Sequence, residues 1–232
     1  MANPLPGLDL SKVVLAVGAL GTAAYGLVDT TKALGDGGVS KVGFNDIRKI
    51  LTLFVEEAVD TDNANTSALG LRSIEATLTA NWINGMALAD QKAVAKALIK
   101  LNLSATTANT MATATGVSPQ ILKSIAEKLP TGTALTPEET DVYGRFDLLL
   151  SSLLDQGYQR GDQRYRNRAK ILAVPFAVLL AVLGALGIYG ADPRYLGLSV
   201  IAGLLATPLA PVAKDVASAI QVGAKVAQLW KK

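Results

Sequence analysis

Residues 171–189 read ILAVPFAVLLAVLGALGIY, without one charged side chain, and this stretch decides how the rest of the chain is understood. A hydrocarbon core of about 30 Å needs roughly 20 helical residues, with about 17 as the working minimum, so it is long enough to cross a bilayer. Residues 13–28 and 196–209 are shorter but equally free of charge. The remainder is ordinary polar, helix-forming sequence. The expectation is an all-α membrane protein, with three transmembrane helices and a cytoplasmic helical domain.

Half of the 232 residues are hydrophobic and 18% are charged. That charge content is too high for a chain lying wholly within lipid, so residues 41–168 are expected to form a water-facing part. The chain has no cysteine and no histidine. Thiol nucleophiles, disulfides, imidazole bases and most transition-metal sites are thereby excluded. The net charge of +3 is small for a nucleic-acid binder. The basic residues also gather beside an apolar span rather than among aromatics on a polar surface. No nucleic acid, no cofactor and no enzymatic activity are expected. Residues 1–11 carry no Lys or Arg, and only Lys12 precedes the first apolar run, so that run is taken as a retained span rather than a cleaved leader.

Cytoplasmic flanks of spans accumulate Lys and Arg. Lys12 alone precedes the first stretch, whereas Lys32, Lys41, Arg48 and Lys49 follow it. Arg160, Arg164, Arg166, Arg168 and Lys170 crowd the entrance to the second, and Lys214, Lys225, Lys231 and Lys232 follow the third. The link at 190–195 has only Arg194 against Asp192. The count puts the N-terminus outside, the central domain and C-terminus in the cytoplasm, and the link outside. The expected division is an N-terminal span with flanks (1–34), a cytoplasmic helical domain with a stalk helix (35–168), a transmembrane helical hairpin (169–210) and an amphipathic C-terminal helix (211–232).

Apolar residues in the middle recur at helical spacing, with no alternating run that would mark a strand. Asn45 is placed as the cap of a helix to about Val59 that buries Ile47, Ile50, Leu51, Phe54, Val55 and Ala58. A second helix is expected from Ser67 to Ala80 with Leu71, Ile74 and Leu78 inward, and a third from Asp90 to Leu101 with Val94, Leu98 and Leu101 inward. Ser118-Pro119 reads as a cap followed by proline at the first helical position. Thr136-Pro137-Glu138-Glu139 reads as a capping box opening a long helix. That helix carries Val142, Phe146, Leu149, Leu150, Leu153 and Leu154 towards the second span, with Gly157 and Gly161 as the expected bend points.

Within the spans, small residues fall four apart: Gly18, Thr22 and Gly26 in the first; Ala173, Ala177, Ala181 and Ala185, widened by Gly184, in the second; Ser199, Gly203 and Thr207 in the third. Such stripes let helices approach closely. The reading is packing within a three-helix bundle, with homo-oligomer contacts as the other use. The five basic residues from Arg160 to Lys170 are read as an orientation and lipid-headgroup signal, and secondarily as docking for an acidic partner. Beyond Pro208 and Pro211, residues 212–230 read as an amphipathic helix, either interfacial, with Trp230 and the last two lysines at a headgroup boundary, or packed on the cytoplasmic domain.

Other motifs dissolve on inspection. Residues 60–65, DTDNAN, lack the third ligand and the glycine of a calcium loop. Residues 35–41, GDGGVSK, lack the Gly-Lys-Ser/Thr of a phosphate loop and read as a linker. Glu56 with Glu57, and Glu138 with Glu139, are adjacent and diverge on a helix, so neither pair faces a common substrate.

Gly26-Leu27-Val28-Asp29, Ile47-Arg48-Lys49-Ile50-Leu51, Arg145-Phe146-Asp147 and Gly157-Tyr158-Gln159-Arg160 follow one another along the chain. Ala202-Gly203-Leu204-Leu205-Ala206 then leads into Pro211-Val212-Ala213-Lys214-Asp215. In this order they resemble a widespread, uncharacterised group of bacterial inner-membrane proteins with an N-terminal span, a helical cytoplasmic region and a C-terminal helical hairpin. That group carries an aromatic pair and consecutive arginines before its second span, where this chain has Gly157-Tyr158 and spaced arginines. The resemblance implies the layout and a place in the bacterial cytoplasmic membrane, and transfers no catalytic residue. The expected function is a membrane anchor or scaffold presenting a helical docking domain to other proteins. The alternative is a homo-oligomeric channel or pore gated by its cytoplasmic helices.

Overall fold

The computed structural model describes residues 10–33, 37–55 and 70–229, and backbone alone at 10, 11, 214 and 216–229. All described secondary structure is helical: α1 (Leu10–Thr30), α2 (Ser40–Phe54), α3 (Leu71–Ile83), α4 (Leu88–Leu101), α5 (Ala108–Thr115), α6 (Pro119–Lys128), α7 (Pro137–Tyr189) and α8 (Pro193–Leu229). Among the described residues three helices are long and apolar enough to cross a membrane, as expected: α1, the C-terminal part of α7, and α8 as far as Ala213. The chain divides into two compact units, one of Met1–Val39 with Arg166–Lys232 and one of Ser40–Tyr165. Helix α7 runs through both, giving residues 137–165 to the second and 166–189 to the first.

The Ser40–Tyr165 unit is built on one hydrophobic core. Ile47, Leu51 and Phe54 of α2 meet Leu71, Ile74 and Leu78 of α3 there, together with Phe146, Leu150 and Leu154 of α7, all nearly sealed from solvent. The inward residues expected for α3 are these; of those expected for α7, Val142 and Leu153 are half-buried against the core and Leu149 is turned out. Asn45 is not a cap. Helix α2 starts at Ser40, because its first turn is already packed: Phe44 is buried, and the Ser40 carbonyl accepts a 2.9 Å hydrogen bond from the Trp82 indole. Ala58, Val59 and Ser67, assigned to the ends of the first two expected helices, lie outside the described residues.

Helix α4 is rotated by a residue from its expected face. Gln91, Ala95 and Ile99 are inward, while Leu101 is 68% exposed and Val94 and Leu98 lie on the flank. The cause is polar. The Gln91 side-chain amide donates to the Met86 carbonyl at 2.6 Å and its backbone carbonyl accepts from the Tyr158 hydroxyl at 3.4 Å, so a glutamine holds a core position that a hydrophobicity count assigns elsewhere.

The other two caps read from sequence are present. The Ser118 hydroxyl accepts from the Ile121 amide at 3.5 Å. At α7 the Thr136 amide donates to Glu139 Oε2 at 2.8 Å and the Glu139 amide donates to Thr136 Oγ1 at 3.2 Å, the reciprocal arrangement of a capping box. Glu139 also accepts from Lys128 and Ser124, each at 2.7 Å. Hydrogen bonds from Lys128, Thr136 and Ser124 pull its carboxyl down to about 2.

Gly157 and Gly161 serve a close crossing within an unbroken α7, rather than a helix break. A Cβ on Gly161 would lie 2.7 Å from the Gly43 carbonyl oxygen, and one on Gly157 would lie 2.8 Å from Ile50. Helix α2 therefore lies nearly backbone to backbone on α7. Trp82 closes this end of the core, its ring centroid 6.4 Å from those of both Tyr158 and Tyr165.

In the other unit α8 packs on α1 through Ala206, Ala210 and Ala213, and on α7 through Gly203. A Cβ on Gly18 would come within 1.9 Å of Ala213 Cβ, one on Gly21 within 2.1 Å of the Ala206 carbonyl oxygen, and one on Gly203 within 2.5 Å of Val178 Cα. The α7–α8 turn is tight. Gly190 adopts φ of +69°, and Asp192 Oδ1 accepts from the Arg194 amide at 2.9 Å, capping α8 just before Pro193. Tyr189 and Tyr195 stack across the turn with centroids 4.2 Å apart. Helix α8 continues through Pro208 and Pro211 to Leu229, so the tail beyond 211 is the same helix. Its outward residues, Leu198, Ile201, Leu204 and Leu205, are 50–62% exposed. Such a greasy exterior suits lipid tails and not water.

Candidate docking site

A groove of the Ser40–Tyr165 unit runs along α4, with a volume of about 710 Å³. Its floor is Ala93, Ala97 and Leu101 of α4, with Leu103 just beyond the helix. Leu129 and Pro130 form the opposite wall, held in the 3-10 turn Leu129–Thr131, which Gly132 ends at φ of +69°. Tyr143 of α7 closes one side. Leu101 and Leu129 are 68% and 43% exposed, so the groove shows apolar surface to its surroundings.

Its edge is cationic. Lys92, Lys96 and Lys100 fall four apart on α4, one row over from Ala93, Ala97 and Leu101. Asp147 of α7 accepts from Lys96 at 2.6 Å and from Lys100 at 3.0 Å, and Lys92 pairs with Asp155. The Lys100 ammonium also sits 4.7 Å from the Tyr143 ring centroid. Burial opposes ionisation of Asp147, but hydrogen bonds from the two lysines prevail and hold its pKa below the ordinary value. For Lys100 burial acts to lower the pKa, and the interactions with Asp147 and Tyr143 raise it further than burial lowers it. Two carboxylates thus serve three ammoniums, and one positive charge remains along the rim. A smaller recess of about 190 Å³, lined by Ala93, Lys96 and Asp155 among others, continues the groove towards Lys92.

Sequence reasoning did not single out this groove. The signal was present as two parallel four-residue rows, one small and apolar, one cationic, but it became visible only once α4 was known to be turned onto Gln91.

The basic approach to the second span separates into different roles. Arg164 binds the buried Asp46 carboxylate at 3.1 Å, which makes it a tie between α7 and α2. Arg164 meets Asp46 Oδ1, while Oδ2 is buried without a hydrogen-bond partner, so the guanidinium matters to this carboxylate. Arg160, Arg166, Arg168 and Lys170 are exposed on α7. Trp230 lies outside the described residues.

The packing stripes also divide. Ala173, Ala177 and Ala185 are buried, Ala181 is half-buried, and Ser199 and Gly203 are buried, in line with the sequence reading. Thr207 joins them, its hydroxyl buried without a hydrogen-bond partner. Gly184 is exposed with nothing near it and widens no contact. In α1 Gly18 is a contact residue, but Thr22 and Gly26 face outward, and the partners of Gly18 on the buried side are Gly21, Ala24 and Val28. The four-residue stripe was the wrong diagonal: the buried face of α1 follows a three-to-four spacing, and Gly18 and Gly21 on it meet Ala213 and Ala206 of α8. Thr22 satisfies its hydroxyl by donating to the Gly18 carbonyl at 3.0 Å.

Of the motifs set aside, residues 60–65 and Glu56 with Glu57 lie outside the described residues. Gly37 and Gly38 form a turn directly before α2, with φ of 99° and 49°. Glu139 is committed to its cap and Lys128.

Set against family models, curated proteins and solved structures, the chain matches none of them.

Proposed function

We propose that the protein is a membrane anchor that presents the Ser40–Tyr165 unit as a docking domain to a larger assembly. The observation that carries this reading is the pairing of an independently cored helical unit, bearing an exposed apolar groove with a cationic rim, with three helices apolar enough to span lipid. Helix α7 is covalently common to both, so whatever docks on the unit is tethered to the membrane. The charge asymmetry favours the cytoplasmic side for the unit and for the C-terminus, and the outside for the N-terminus and the 190–192 link. Exposed Arg168 and Lys170 suit anionic headgroups at that boundary. Self-association belongs to the same reading: the outward face of α1 carries Ala16, Ala19, Ala23 and Gly26, side chains too small to favour lipid contact over a second helix.

The channel alternative gains nothing specific. The buried residues of the spans are small and mostly apolar, and a conduction path ordinarily shows ionisable lining. Reconstitution into liposomes tests the two together. An anchor leaves the bilayer tight in conductance and dye-release measurements, and copurifies from native membranes with a reproducible soluble assembly. Ion conductance by the purified chain, or purification as a bare homomer, overturns the anchor.

A further inference from the structure

We propose that the groove along α4 takes an amphipathic helix of a partner protein whose apolar face is edged by Asp or Glu. The inference rests on the docking-domain reading and specifies the chemistry of what docks.

Dimensions come first. From Lys92 to Leu101 the groove follows nine helical steps, about 14 Å at roughly 1.5 Å each, the length of two to three turns of a second helix. Ala93 and Ala97 keep the floor low over this distance, so another helix approaches closely there, and the volume of about 710 Å³ beside Leu101 and Leu129 takes bulky apolar side chains. The recess of about 190 Å³ at the Lys92 end takes a smaller one.

Charge then selects the partner. Between Lys92 and Lys100, α4 offers three ammoniums and no carboxylate, and the facing stretch of α7 supplies only Asp147 and Asp155. Asp147 is shared between two lysines, so their remaining N–H donors are left for a carboxylate on the incoming helix. A partner edged with Lys or Arg meets the uncompensated positive charge with its own. Acidic flanks meet it with hydrogen bonds and bring apolar anchors over Leu101 and Leu129 together. Apolar contact supplies affinity, and the lysine row supplies register and sign.

The test uses the full chain in nanodiscs of zwitterionic phosphatidylcholine. A displayed library of 16-residue helices is selected on it, with the apolar face randomised among Leu, Ile, Phe, Met and Ala and each flanking position randomised between Glu and Lys. Recovered clones are expected to carry Glu over Lys at the flanks by about tenfold. They should bind the Ala97→Trp chain at least about tenfold more weakly, and lose affinity as salt rises. Ala97 is exposed, so the tryptophan fills the groove without entering the core, and an unchanged circular dichroism spectrum verifies the fold. Recovery of no clone, of flanks with Glu and Lys in equal number, or of clones indifferent to Ala97→Trp overturns the proposal. Capture only on anionic nanodiscs shows that lipid, not a helix, meets the lysine row, and overturns it equally. If selection fails while the chain still copurifies with a soluble assembly, the acidic-helix proposal falls and the anchor reading stands. Conductance or a bare homomer removes the anchor reading instead.

Discussion

Gly161→Ala, set beside Gly144→Ala, tests whether α2 and α7 meet backbone to backbone. Both glycines lie inside α7, so alanine brings the same gain in helix propensity at each, about 1 kcal/mol. Gly144 has nothing within 4 Å of its would-be Cβ, and that gain is realised in full. At Gly161 the new methyl lies 2.7 Å from the Gly43 carbonyl oxygen, where ordinary contact begins at 3.4 Å, so α2 must retreat by about 0.7 Å. The retreat opens the tightly sealed seat of Ile47 and loosens Trp82, which lies 2.8 Å from a Cβ built on Gly43. Overpacking of this kind costs about 1–3 kcal/mol. Gly161→Ala is therefore expected to be net destabilising by up to about 2 kcal/mol, and Gly144→Ala stabilising by about 1 kcal/mol. Denaturant unfolding in detergent, followed by Trp82 fluorescence in a Trp230→Phe background, reads the difference. Equal midpoints for the two variants, or a more stable Gly161→Ala, would refute the close crossing.

In the spans, Gly21→Leu should lower the melting temperature in detergent because its side chain would drive into Ala206, whereas Gly26→Leu, with open space around it, should melt like the parent or slightly higher. Arg164→Ala should cost about 1–2 kcal/mol by leaving Asp46 uncompensated, a value kept modest because the guanidinium is half in water, while Arg168→Ala should leave unfolding unchanged. Thr136→Ala should cost about 1 kcal/mol by removing one half of the capping box. The Glu139 carboxyl is depressed from 4.5 to about 2, so its contribution is complete above pH 4.5 and disappears as pH falls towards 2. Glu139→Gln should flatten that part of the stability profile, measured by circular dichroism between pH 2 and 6.

The elements that sequence resolved best are those set by local rules. The capping box at Thr136, the Ser118-Pro119 start and the uncharged run at 171–189 each follow from chemistry within a few residues. Where tertiary contacts choose between nearly equal faces, local pattern fails. Helix α4 offers Val94-Leu98-Leu101 and Gln91-Ala95-Ile99 as adjacent stripes, and the second is the one buried, through the core contacts of Ala95 and Ile99 and the hydrogen bonds of Gln91 with Met86 and Tyr158. Gly157 and Gly161 look like weak points in a helix until α2 is laid against them. In α1 the contacts with α8 fall on Gly18 and Gly21 and leave Gly26 outward. The groove was hidden for the same reason as the rotation of α4, and Arg164 looked like one more boundary cation because Asp46, its partner, is more than a hundred positions away in the chain.

The central claim, that the spans hold the helical unit on the inner side of a membrane, is tested most directly by single-cysteine labelling, which the absence of native cysteine makes clean. Leu148→Cys sits on the exposed surface of the unit and Asp192→Cys in the link between α7 and α8. With a membrane-impermeant maleimide on intact cells, the cysteine at 192 should label at once and that at 148 only after permeabilisation. Labelling at 148 in intact cells, or protection at 192, would contradict the account.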